Sequence, residues 1–115
     1  MTRDSHLAEF VEHFNCQAYF EAHDVLEEFW VVTRGERRDF YKGLIQTAVA
    51  LLKLQQGNTA PASTLARRAV SHLEKYRPVC EGIDVELVLG WLHDVIHGRN
   101  IVREDIPLRL EFSAR

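Results

Sequence analysis

His23 and Glu27 stand four residues apart in the run Tyr19-Phe20-Glu21-Ala22-His23-Asp24-Val25-Leu26-Glu27-Glu28-Phe29-Trp30. On a helix that spacing stacks imidazole and carboxylate one turn apart on a single face, where Tyr19, Leu26 and Trp30 also fall. Ionisable groups are costly on an apolar stripe, so the pair invites a chemical or a structural reading. In the chemical reading, ring nitrogen and carboxylate oxygen converge on a divalent metal ion of open identity, as in the helical half of zinc-protease sites. A catalytic metal needs a third protein ligand. Asp24 and Glu28 lie beside the pair on the same helix, and His72 sits at the edge of a later helix's inward stripe. Gln46 suits a hard cation or a bound water better than zinc. Asp24 or Glu28 would then act as base on metal-bound water, which makes metal-assisted hydrolysis the reaction class. In the structural reading, His23 and Glu27 form a buried hydrogen bond that ties the second helix to the third through Gln46, Tyr41 or Tyr19.

Tyr19 and Trp30 would wall a pocket in the first reading and are core packing in the second. Gln46 either supports His23 from the next shell or reaches solvent. A second pair, His93 and His97, shares the polar side of its helix with Glu86, Gly90 and Asp94, and reads as a solvated face. Nucleophilic chemistry finds little support. Ser63, Ser71 and Ser113 are in no elbow context, and Cys16 and Cys80 have no basic or histidine neighbour in sequence.

Five helices must position these residues. Leu7, Phe10, Val11 and Phe14 mark a short first helix, with Asp4 or Ser5 as cap and Asn15 at its end. The second runs from about Gln17 to Thr33 or Arg34, where Gly35 stops it. The third covers about Arg38 to Gln56 and breaks at Gly57-Asn58; it is apolar nearly all round, as a central buried helix is. Gly43 within it permits close helix approach. Thr59 or Ala60 caps the fourth, with Pro61 in its first turn and Leu65, Ala69, Leu73 and Tyr76 facing inward until Arg77-Pro78. Asp84 caps the fifth, whose Leu87, Val88, Trp91, Leu92, Val95 and Ile96 pack inward before Gly98. After Asn100 the spacing fits an extended segment along the bundle, and no strand pairing is apparent. The expected fold is an all-α, single-domain antiparallel bundle of about five helices over residues 1–115, with an extended C-terminal tail.

Bulk properties narrow the function classes. The 115 residues, 46% hydrophobic and 27% charged, suffice for one core without staples. A net charge of -3 argues against a nucleic-acid binder. The Arg34, Arg37, Arg38 cluster and the Arg67-Arg68 pair read as solvated helix ends, since no glycine-rich loop accompanies them. The longest apolar run, Ala48 to Leu52, is too short to span a membrane, and the N-terminus has no apolar signal core. Two cysteines in no metal spacing read as free thiols of a cytoplasmic protein.

The Tyr19–Trp30 segment, Tyr41-Lys42-Gly43-Leu44-Ile45-Gln46-Thr47-Ala48 and Gly57-Asn58 together resemble a family of small helical proteins called domain of unknown function 309. The resemblance covers residues 14–76 and carries the pattern H-x-x-x-E-x-x-W onto His23, Glu27 and Trp30. It implies a functional, metal-binding role for that signature, within a family whose biochemical role is not established. Asp24 departs from the commoner glutamate and shortens any ligand arm by a methylene. Pro61 replaces a frequent glycine and is compatible with a helix start. The expected function is therefore a polar, metal-binding site on the second helix. The alternative is a non-catalytic interaction or dimerisation module, for which Val25, Phe29 and Val32 offer an apolar flank. A homo-oligomer fits either; nucleic acid and membrane partners fit neither.

Overall fold

The computed structural model describes residues 3–99. Five helices follow in order: α1 (Arg3–Asn15), α2 (Tyr19–Val32), α3 (Arg38–Gln55), α4 (Thr59–Leu73) and α5 (Val85–Ile96). Each packs on the next, and α3 against α4 is the most extensive pairing. The all-α bundle expected from periodicity is what the chain adopts. The segment expected to run extended after Asn100 lies outside the described residues.

Cross-contacts fix the antiparallel arrangement. His6 of α1 stacks on Phe29 near the end of α2, while Phe14 at the other end of α1 meets Tyr19. Arg38 at the start of α3 covers Trp30 of α2, and Gln55 at its end donates to the Gln17 carbonyl before α2. Ten of the eighteen α3 residues are buried, which makes it the central helix. Alanines carry the α4 contact. Ala62, Ala66, Ala69 and Leu73 are its buried residues, with Leu65 only partly covered. The cap of α4 is Asn58, one residue earlier than expected.

Helix ends follow backbone chemistry more than side-chain caps. After α3, Gly57 takes φ +79, so its own N–H and that of Asn58 turn back to the Leu54 and Lys53 carbonyls at 3.0 and 2.8 Å. Gly98 ends α5 in the same way, with Arg99 N donating to the Asp94 carbonyl at 2.8 Å. The Asp84 side chain caps α5 as expected, accepting from Leu87 N at 3.0 Å.

One expectation needs correction: strands do pair. Val79–Cys80 (β1) and Ile83–Asp84 (β2) form an antiparallel hairpin in the register Val79↔Asp84 and Cys80↔Ile83. Its two-residue turn puts Glu81 at φ 49 and Gly82 at φ 80, the left-handed pair that a type I′ turn requires. Two-residue strands are too short to show an alternating pattern, and Glu-Gly is a weak turn signal beside Asn-Gly.

Gly43 sits where α3 and α4 approach most closely. A Cβ there would lie 2.6 and 2.7 Å from Cγ and Cδ2 of the buried Leu73, and 3.2 Å from His72 Cβ. Overpacking of that kind costs about 1–3 kcal/mol, against about 1 kcal/mol gained by alanine in a helix. Gly43→Ala is therefore expected to lower the urea midpoint by the equivalent of about 1 kcal/mol. An unchanged or raised midpoint would show that Leu73 repacks freely.

Candidate functional site

The stripe of α2 that enters the core is Tyr19, Ala22 and Leu26. His23 and Glu27 border it and do not sit within it: their side chains keep 21% and 43% of their exposure. The two do meet, His23 Nε2 lying 3.3 Å from Glu27 Oε1. On the other side of the ring, Nδ1 donates to the Phe20 carbonyl at 2.9 Å.

The remaining candidates separate into distinct places. Asp24 is exposed, and the Glu28 carboxylate turns to α1, 3.6 Å from Nε2 of the buried His6. Tyr19 is buried edge-on against Phe14. Trp30 lies under two cations of α3, with the Arg38 guanidinium 4.0 Å and the Lys42 ammonium 4.3 Å from its ring centre. Gln46 is buried, and its Oε1 lies 2.8 Å from His72 Nδ1. Spacing leaves Gln46 as either a support for His23 or a group that reaches solvent, but its hydrogen bond joins α3 to α4. His93 and His97 stack at 6.4 Å on an exposed face. Among the described residues, no three His, Cys, Asp or Glu side chains come together as a metal-holding group.

Tyr41, expected as a bridge for the His23–Glu27 pair, instead belongs to a group around Glu81 that the sequence did not signal. Its ring is buried beside Phe29 and Phe40, and its hydroxyl donates to the Glu81 carboxylate, both oxygens 2.7 Å away. Arg37 Nε lies 3.3 Å from Glu81 Oε2, and only 11% of the Glu81 side chain is exposed. Thr33, Arg34, Glu36, Arg37, Tyr41 and Glu81 line a cleft of about 470 Å³ between the α2–α3 loop and the hairpin. A glutamate buried by its partners in a left-handed turn has no signature in a single sequence. Around the cleft, burial pushes the Cys80 thiol and the Tyr76 phenol up. A hydrogen bond from Lys75 holds the Asp39 carboxyl below its usual range.

Comparison with known proteins adds kinship without chemistry. A family model described as "Domain of unknown function (DUF309)" matches residues 7–65, from α1 into α4. An uncharacterized protein of Aquifex aeolicus (strain VF5) is 26% identical over 89 residues, 76% of this chain and 27% of its own length. The uncharacterized protein YpuF of Bacillus subtilis (strain 168) is 32% identical over 77 residues, 66% of this chain and 44% of its own. The chain thus spans less than half the length of either relative. No solved structure matches it.

Proposed function

The chain belongs to the DUF309 family, and on that footing we propose that it is a non-catalytic helical interaction module. In this reading the outer face of α2 receives a basic segment of another protein that also carries apolar side chains. The observation behind it is the line Phe20, Asp24, Glu27, Val31, whose spacing keeps all four on one side of the helix. Phe20 and Val31 are 55% and 56% exposed, far more than apolar side chains of that size in a core stripe. Asp24 and Glu27 lie on this line and α2 holds no lysine or arginine, so this face complements lysines and arginines set among apolar residues. A like copy of the same face would repel it. The length of both relatives supports a module used within larger polypeptides. Two amphipathic helical peptides serve as probes, one with Leu and Lys alternating at helical spacing and one with Leu and Glu. The basic peptide is expected to shift the amide resonances of residues 20–31 saturably. Phe20→Ser with Val31→Ser should weaken its binding by roughly tenfold, with further weakening as salt screens the contact. Equal response of the double variant, or of the acidic peptide, would overturn the reading. So would a homodimer that these substitutions dissociate.

A metal reading keeps one favourable observation. Donation from Nδ1 to a backbone carbonyl is how metal-binding imidazoles are oriented, leaving Nε2 toward the ion. His23 and Glu27 would then supply two ligands, and exposed Asp24 would be the base on the bound water, since the Glu28 carboxylate turns to His6. Zinc, manganese or magnesium should raise the melting temperature of wild type and not of His23→Ala if this reading is right.

A further inference from the structure

The cleft between the α2–α3 loop and the hairpin is separate from the α2 face, and its chemistry is different. Three arginines crowd into residues 34–38, and the structure assigns them unequal tasks. Arg38 is committed: it covers Trp30 and its Nε donates to the Thr33 carbonyl at 3.1 Å. Arg37 is half exposed: its Nε lies 3.3 Å from the Glu81 carboxylate, its Nη1 3.8 Å from the exposed Glu36 carboxylate, and its guanidinium 5.9 Å from the Tyr76 ring centre. Arg34 folds back on its own turn, its Nη1 donating to the Val31 and Thr33 carbonyls at 3.3 and 3.2 Å. Both arginines line the cleft, with Thr33, Glu36, Tyr41 and Glu81.

We propose that this cleft binds a small oxyanion, carboxylate or phosphate, between Arg34 and Arg37, with Glu81 and Tyr41 as positioning residues. A guanidinium fixed along one edge by a buried carboxylate presents its remaining N–H groups in a set plane. Less side-chain freedom is then lost when they grip an oxyanion in pairs. Glu81 is itself held by the Tyr41 hydroxyl from the central helix. It occupies a left-handed conformation that glycine or asparagine would adopt at lower cost. A residue kept in that conformation by its side-chain partners points to a use for its carboxylate. A cation is the poorer ligand, because it would have to displace Arg37 from Glu81.

The test is a titration of the full chain, labelled with nitrogen-15, by inorganic phosphate and separately by acetate, with chloride at matched ionic strength as control. Saturable shifts confined to residues 33–41 and 79–84 are expected. The phosphate and acetate arms decide which oxyanion the cleft prefers. Arg34→Gln and Arg37→Gln should each weaken binding by roughly tenfold. In Glu81→Gln, weaker binding should accompany faster averaging of the Arg37 Nε–H signal, a readout that loss of fold stability alone does not produce. Shifts that match those in chloride, or that persist unchanged in both arginine variants, would overturn the proposal. Arg34 does not touch Glu81, so Arg34→Gln keeps the test decisive even if Arg37→Gln fails to fold. The α2 docking face can fail its own test without affecting this one.

Discussion

Phe14→Ala is expected to cost about 3–5 kcal/mol of folding stability, the range for emptying a large aromatic site in a packed core. Phe14 is fully buried at the C-terminal end of α1. Its ring stacks on Trp91 of α5 at 5.6 Å and 18°, meets Tyr19 of α2 edge-on at 5.1 Å, and touches Phe10 at 5.6 Å. One side chain therefore joins three helices, and three rings would have to move together to refill its space. Total stability for a domain of this kind is about 5–15 kcal/mol, so the loss is a large share of it. Urea unfolding followed by tryptophan fluorescence reads the change, with an unchanged slope showing that the unfolded state is not altered. Phe20→Ala is the control. That ring is more than half exposed, and its removal should change stability by less than about 0.5 kcal/mol. A small loss at Phe14 would mean that α1 contributes little to the core.

What could be read from the sequence follows from what periodicity encodes. Spacing on one helix says which side chains share a face, and it placed His23 beside Glu27, Phe14 in the core and α3 at the centre. Glycines at positions 57 and 98 ended helices because only a left-handed residue lets the last N–H groups turn back. Spacing does not say which neighbour a face meets. Spacing therefore leaves Gln46 between His23 and solvent when its partner is His72, and the deep burial of His6 against Phe29 carries no signal at all. The apolar stripe of α2 was drawn too wide by the same limitation. His23 and Glu27 lie at its margin, where solvent and the Phe20 carbonyl satisfy the ring. The hairpin was hidden for a different reason. Its strands hold two residues each, and Glu81 is kept in place by partners 40 and 44 positions earlier in the chain.

Those long-range partners make Tyr41→Phe the second substitution with a large expected effect. Removing the hydroxyl leaves the ring packed against Phe29 and Phe40 but takes a donor from a carboxylate with little access to water. A hydrogen bond to a charged group contributes about 1.5–3 kcal/mol, and that is the loss expected in urea unfolding. Glu81→Gln should cost less, since an amide oxygen can still accept from Tyr41 and only the ionic part of the Arg37 contact disappears. The double variant distinguishes a locked cleft floor from two independent defects. Residues in one hydrogen-bonded group show interaction energies of about 0.5–3 kcal/mol, so Tyr41→Phe with Glu81→Gln should cost less than the sum of the single changes by at least about 0.5 kcal/mol. Strict additivity would mean that the hydroxyl does not hold the carboxylate, and Glu81 would then have no anchor on the central helix. Arg37 would then lose the fixed edge from which it could grip an anion.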